Sequence, residues 1–292
     1  MKIRLLSLKN FRNYAEEEFS FADGINILTG ANAQGKTNAA EALFFLCTGY
    51  SPRANRDKLV IKYGEECAEV NGRAESAYGS VSVRMLFYAN DKKRVFINGV
   101  ETLKIGELLG NINSVYFNPS ELKLVQESPE DRRRFMNISL SQTSKNYFYA
   151  LQRYNKILSQ RNNLLKNPDS YLIRETLPVW DAQLVKYAAV IIDKDARLGF
   201  TTIGPHRDDI KFMLNGADAR VFGSQGQQRT VALALKLAEA EIFRIRSGEY
   251  PVLILDDVLS ELDKSRQRKL LAATDGIQTL FTAADFPSAV FK

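Results

Sequence analysis

The chain has one histidine, two cysteines and no apolar run approaching the ~18 residues that a membrane-spanning helix needs. Each scarcity closes off a class of function. Cys47 and Cys67 stand in no metal-type spacing, and no His/Asp cluster of the kind a nuclease uses is visible. The simplest reading is a reduced, cytoplasmic protein with two buried thiols and no membrane partner. The opening MKIRLLSLKNFRNY breaks its apolar stretch with charges and lacks a small-residue cleavage site, so it reads as a strand (Ile3 and Leu5 on one face) rather than a leader. Internal repeats and low-complexity segments are also missing. The 40 basic and 34 acidic side chains leave a formal charge of +6, which permits a nucleic-acid partner without demanding one.

The patterning that is there alternates strands with helices over 292 residues, enough for one or two domains. Strands are expected at 25–28, 81–88, 94–97, 114–117, 252–255 and 279–282, with further strands in GFTTI and IKFML after residue 198. Asn98-Gly99 marks a hairpin. Helices are expected at 36–47, about 226–246 and about 263–273. This alternation indicates an α/β fold built on a parallel sheet covered by helices. Between them lie two amphipathic stripes. Tyr147, Leu151, Tyr154, Leu158 and Leu165 form one; Leu177, Trp180, Leu184, Tyr187 and Ile191 form the other. They read as a helical hairpin arm, or as helices packed on the main core.

GANAQGKT, Gly30 to Thr37, follows a short apolar strand and opens a helix, the context a phosphate-binding loop requires. Glycines let the backbone turn its N–H groups onto phosphate oxygens, and the helix adds the positive end of its dipole. The nucleotide-binding set is therefore Gly30, Ala31, Asn32, Ala33, Gln34, Gly35, Lys36, Thr37 and Asn38. Lys36 is placed on the β- and γ-phosphates of ATP, and the Thr37 hydroxyl on Mg²⁺. VLILDDVLSELD ends a buried strand in two carboxylates at the sheet edge where ligands bind. Asp256 is expected on Mg²⁺. Asp257 is expected to orient and deprotonate the attacking water, with Lys36 as its catalytic companion.

Ser224-Gln225-Gly226-Gln227 precedes a long helix, so hydroxyl, N–H groups and dipole converge on whatever anion lies there. An ordinary helix cap would look the same. The order of these motifs, ending in Ser260-Glu261-Leu262-Asp263, resembles the ABC-type ATPases. More narrowly, LKNFRNY (8–14), GANAQGKTN (30–38), SPEDRRRF (128–135), LQRYNKILSQRNNLLK (151–166), LPVWDAQL (177–184), GPHRDD (204–209) and LILDDVLSELD (253–263) together resemble the RecF family, a bacterial relative of the SMC proteins. The likeness runs in order along nearly the whole chain.

That resemblance implies an ABC-type ATPase head with a parallel or mixed P-loop sheet, an antiparallel β part and a short helical arm. The head would be 1–125 and 198–292, the arm 126–197. It implies an ATP-dependent homodimer with two ATPs sandwiched between heads, Ser224, Gln225, Gly226 and Gln227 reaching the γ-phosphate held by the other copy, and Ser260 and Asp263 as a D-loop. Thr282 falls at the switch position, and Arg12 could meet a phosphate or lie in a solvated loop. It further implies double-stranded DNA and single-strand/double-strand junctions as partners, together with RecR and RecO. The activity implied is weak, DNA-stimulated ATP hydrolysis in recombinational repair and replication. Asp257 stands where ABC transporters carry Glu, and its shorter reach to water suits slow turnover. DNA contacts are assigned to Arg53, Arg56, Lys58, Arg132, Arg133 and Arg134, because guanidinium and ammonium groups meet phosphates without reading bases.

The chain also departs from its relatives. AAVIIDKDAR runs straight into LGFTTIGPHRDD, where RecF proteins usually carry several tens more residues, so residues are expected to be missing near 197/198. The segment after Thr282 is shorter than in relatives. No glutamine stands at the expected Q-loop, Asn118 to Glu121, before Gln126. His206, the sole histidine, precedes the signature and so is not a switch histidine; it is structural or supports a dimer or DNA surface. Competing classes are an SMC-like or ABC-type ATPase that does not act on DNA gaps, a transporter subunit, and a helicase, whose motif set is missing.

Overall fold

The computed structural model describes residues 1–166 and 204–285. Two sheets enclose one helix. The first sheet is antiparallel, with strand order β2-β1-β4-β5-β6-β7: β1 (Lys2–Phe11), β2 (Tyr14–Ser20), β4 (Cys67–Ser76), β5 (Gly79–Tyr88), β6 (Arg94–Ile97) and β7 (Val100–Thr102). The second is the expected parallel sheet, β3-β12-β11-β8: β3 (Ile25–Thr29), β8 (Ser114–Phe117), β11 (Val252–Asp256) and β12 (Thr279–Ala283). Strands β8, β11 and β12 are buried along their whole length, which is why they read as unbroken apolar runs.

Helix α1 (Lys36–Thr48) lies between the sheets and is buried all round from Ala39 to Thr48. Its alanines admit close approach and its Phe44 and Phe45 fill the remaining space. Gly72 of β4 completes the fit, since a Cβ there would stand 2.3 Å from Leu46. Gln278 stitches the sheets together: its side chain accepts from the Ile3 amide and donates to the Ile3 and Ala22 carbonyls.

Three local findings depart from the sequence pattern. A register shift between Ile3 and Leu5 puts Leu6 and Leu8 into the core with Ile3 and leaves Leu5 half-buried, as a bulge does. Strand β4 escaped notice because its outer face carries Glu69, Arg73 and Glu75. IKFML yields only the two-residue β9 (Met213–Leu214), paired with β10 (Ala217–Asp218). The hairpin at Asn98-Gly99 forms, with both residues at positive φ (50° and 80°), the backbone a two-residue turn needs.

The remaining helices are α2 (Lys123–Gln126), α3 (Pro129–Thr143), α4 (Lys145–Leu165), α5 (Ala219–Phe222), α6 (Gln225–Ser247) and α7 (Lys264–Ala273). Helix α3 starts at Pro129 with Glu130 and Asp131 in its first turn, where the dipole favours acids. Helix α4 carries the first amphipathic stripe. The second stripe, GFTTI and the junction near 197/198 lie outside the described residues. Cys47 is buried, and burial pushes its thiol up to about 12. Cys67, expected inside, is exposed at the start of β4. Among the described residues no helix is long and apolar enough to cross a membrane.

Candidate nucleotide site

Strands β3, β11 and β12 run parallel, so their C-terminal ends gather at one edge. The phosphate loop leaves β3 there. Gly30 and Gly35 adopt positive φ (150° and 105°), and Ala33 joins them at 67°. Gly35 precedes α1 in the left-handed region, and no side chain caps that helix. Its first-turn N–H groups therefore remain as donors for an anion. A side chain at Gly35 would also collide with Asn13 and Tyr14, its Cβ only 2.7 Å from the Asn13 amide.

Lys36 Nζ donates to the carbonyls of Gly30 (2.5 Å) and Ala31 (2.8 Å), which holds the ammonium over its own loop. Asp256 is 3% exposed and accepts three hydroxyl hydrogen bonds. Thr37 and Thr282 donate to Oδ1 (3.0 and 2.5 Å), and Tyr116 donates to Oδ2 (3.0 Å). The Asp257 backbone has φ 54°, and its N–H donates to both the carbonyl and the hydroxyl of Thr282. A non-glycine residue in that conformation costs about 1 kcal/mol, which the two hydrogen bonds offset. The exposed Asp257 side chain lines a cleft of about 360 Å³ with Lys36, Thr37, Asn38, Arg53 and Thr282.

The oxygen pair Thr37 Oγ1 and Asp256 Oδ1 suits a hard cation. No group of three or more His, Cys, Asp or Glu side chains is gathered for a metal among the described residues. Two protein oxygens completed by phosphate and water are what Mg²⁺ ordinarily takes.

Other expected residues fall elsewhere. Arg12 turns from the cleft and pairs with Glu41 through two hydrogen bonds, at 2.6 and 3.0 Å, while also donating to the Leu59 carbonyl. Glu41, an acid in an otherwise apolar helix, is fully buried and also accepts from Ser51 and Arg53. Arg53, assigned to DNA from sequence, borders the nucleotide cleft and donates to Asn38 (2.9 Å). Arg132 is 3% exposed, with its guanidinium committed to Asp209 (2.6 and 2.9 Å) and to the carbonyls of Leu124 and Glu127. With four of its five N–H donors so engaged and the side chain buried, Arg132 is out of reach of DNA, which corrects that assignment. Arg133 donates to the Asp208 carbonyl; Arg56, Lys58 and Arg134 are exposed. Asn13, which donates to the Gln34 carbonyl and accepts from Asn38, and Tyr116 were not among the expected site residues.

The signature segment stands apart. Ser224 caps α6 in a reciprocal box with Gln227, and Ser224, Gln225 and Gln227 are exposed. None of them lines the cleft. Gly226 lies against Arg266, where a Cβ would approach Nη1 to 3.2 Å. Arg229 bridges to Glu261 at 2.8 Å, tying α6 to the 259–261 turn. In that turn Ser260 donates to the Asp257 carbonyl, and Asp263 caps α7. Gln126 donates to Gln228 of α6 (2.7 Å) and is not at the cleft. His206 Nδ1 lies 2.5 Å from the Tyr154 hydroxyl, so it joins the 205–207 turn to α4.

A phosphate loop and a paired-acid strand at one edge of a parallel sheet, beside an antiparallel sheet and a separately mounted signature helix, define the head of an ABC-type ATPase. Residues 2–282 match the RecF/RecN/SMC N terminal domain family. A protein from Clostridium acetobutylicum described as DNA replication and repair protein RecF is 38% identical over 336 aligned positions, covering 97% of this chain and 92% of that one. The protein of the same description from Ruminiclostridium cellulolyticum is 36% identical, covering 98% and 93%. The chain belongs to the RecF family. A solved structure of the recombination mediator protein RecF with ATP superposes with a TM-score of 0.86 at 31% identity, over 97% of this chain and 93% of that one. An SMC head bound to the C-winged helix domain of ScpA shares the fold alone, with a TM-score of 0.59 at 19% identity over 98% and 90%. The first alignment is longer than this chain of 292 residues, so that relative carries residues without a counterpart here.

Proposed function

We propose that this chain is an ATP-gated DNA-binding protein of recombinational repair and replication, in which two heads close on two ATP molecules and clamp DNA. The observation that carries this reading is the split site. The phosphate loop, Asp257 and Thr282 line one cleft, with Asp256 buried behind it on the hydroxyls of Thr37 and Thr282, while Ser224 is exposed and lies outside that cleft. A second copy, applied symmetrically, is the simplest source of the absent half.

In that arrangement the α1 N-terminus and Lys36 bind the β- and γ-phosphates. Lys36 exchanges its two carbonyl acceptors for phosphate oxygens. Thr37 and Asp256 would hold Mg²⁺, whose chemistry there is neutralisation of phosphate charge. Asp257 orients a water for attack and takes its proton. The partner's signature N–H groups and hydroxyl stabilise charge on the γ-phosphate. Arg53 adds a cation beside Asn38, so it is assigned to the nucleotide rather than to DNA. Turnover is slow, because the short Asp257 reaches water poorly, and hydrolysis resets the clamp. Arg56, Lys58 and Arg134 supply phosphate-backbone contacts to duplex DNA. RecO and RecR act with it at single-strand gaps, where RecA is loaded; in support, the solved relatives are described as the recombination mediator protein RecF in the RecFOR pathway. The head spans 1–125 and 198–292 and the arm 126–197.

The test is sizing of the chain with ATP, with ADP and as Lys36→Arg, each with and without duplex DNA. Dimers only with ATP, tightened by DNA and lost in the variant, support the clamp. Dimers indifferent to nucleotide overturn it.

A further inference from the structure

Behind the nucleotide site, a cavity of about 180 Å³ is bordered by Tyr50, Tyr116, Glu121, Arg134, Lys236 and Glu239. It lies where α1, β8, α3 and the signature helix α6 meet. Two of its charges are deeply buried: the side chains of Lys236 and Glu239 are 8% and 6% exposed. Lys236 Nζ stands 3.1 Å from Glu121, just beyond β8, and 3.5 Å from Glu239 on its own helix. It also sits 4.4 Å above the Phe135 ring of α3, and Ser139 of α3 donates to Glu239. On the cavity's far side Tyr116 donates to Asp256. The buried Tyr50 hydroxyl at this junction has no hydrogen-bond partner, and Glu239 Oε2 has only the long contact to Lys236.

A buried ammonium must be paired, and here its two carboxylates belong to different bodies. Glu121 lies in the 119–122 turn that follows β8, whose Tyr116 holds Asp256. Glu239 travels with the signature helix. The distances differ by little, the lysine stem is flexible, and the cavity gives the ammonium room to move. The unpartnered Tyr50 hydroxyl and the long Lys236–Glu239 contact beside that room are where a second arrangement would find its bonds. We infer that Lys236 is a positioning residue for ATP hydrolysis, a pivot whose exchange between Glu121 and Glu239 sets α6 and its Ser224 against the Tyr116–Asp256 side of the head. This rests on the reading above that Ser224 serves a second copy's nucleotide. Contact with α3 through Phe135 and Ser139 also places the arm's first helix in the same linkage.

The test uses Lys236→Met in the full chain. The stem keeps its length, but Glu121 and buried Glu239 lose their cation, so the variant is assayed well below its own melting temperature. The expected result is a lower melting temperature but unchanged ATP affinity of the folded monomer, with kcat lower by about tenfold. Lys236→Arg is expected to retain most of the activity. Parental kcat in Lys236→Met overturns the pivot. A fall in kcat matched by lost ATP affinity also overturns it, in favour of a structural role. If Lys236→Met does not fold, Glu121→Gln carries the test, since it leaves Lys236 paired with Glu239; the same loss of kcat at unchanged ATP affinity is expected, and parental kcat overturns the proposal. A parent chain without ATP-dependent dimers removes the clamp reading and the pivot together. A parent that dimerises beside an unaffected variant removes the pivot alone.

Discussion

The two halves proposed for the nucleotide site are built to different standards within one chain. On the phosphate-loop side Asp256 is sunk in the sheet edge and held by three hydroxyls, and Asn13 braces the loop from outside. On the signature side Ser224 is exposed and bonded only to its own helix turn. Two large apolar side chains just before it in the chain also stand in solvent: Val221 and Phe222, the last 74% exposed. Charge chemistry needs preorganised groups, so the first half is finished in the single chain. The second half is left open to something from outside, and its neighbouring apolar surface is of the kind that marks interaction sites.

The sharpest way to break this contrast is at Asp257. Asp257→Asn is expected to lower single-turnover ATP hydrolysis by about 10²–10⁴-fold while ATP-dependent dimers persist. Hydrolysis at the parental rate would remove Asp257 from the chemistry. Next in size, Ser224→Arg should abolish ATP-dependent dimers in sizing experiments yet leave monomer ATP affinity within about threefold, because Ser224 is outside the cleft. Equal loss of both would erase the distinction between the halves.

The finished half can be probed by its scaffold. Glu41→Ala strands Arg12 and deprives Ser51 and Arg53 of an acceptor around a fully buried position. It should cost about 3 kcal/mol in urea unfolding, and a cost within error of zero would mean that the pair does not organise this side. The smallest effect concerns acid. Arg132 holds the Asp209 carboxyl below its ordinary value of 3.8. The resulting stabilisation is complete above that ordinary value and is lost as pH falls through the lowered one. Asp209 is well exposed, so the effect is about 1 kcal/mol or less. Asp209→Asn should flatten this acid limb in thermal melts from about pH 5 down to about pH 2; an unaltered limb would locate the acid sensitivity elsewhere.

Much of this molecule was legible before any coordinates. The loop Gly30–Thr37 and the Asp256-Asp257 pair announce themselves because their chemistry is local: backbone turns and strand ends are set by neighbours in sequence. The parallel sheet followed from apolar runs alternating with helices. Strand β4 was hidden by the charges of its outer face, and the bulge in β1 reversed the expected inward position of Leu5. From sequence Arg12 was placed on a phosphate or in a solvated loop, and Arg53 on DNA. Only folding placed one on Glu41 and the other at the cleft. A hint was available in Glu41 itself, a lone acid in an apolar helix, which needs a cation once buried.

By itself the sequence determined the identity of the phosphate loop, the acids that serve it and the architecture that carries them, because short-range backbone geometry and hydrophobic periodicity depend on adjacent residues. Tertiary structure alone decided which cations are spent in the interior. It brought Thr37, Tyr116 and Thr282 from three distant stretches onto one carboxylate, and it set Ser224 apart from the cleft. Those outcomes depend on packing between residues hundreds of positions apart, and no local pattern encodes them.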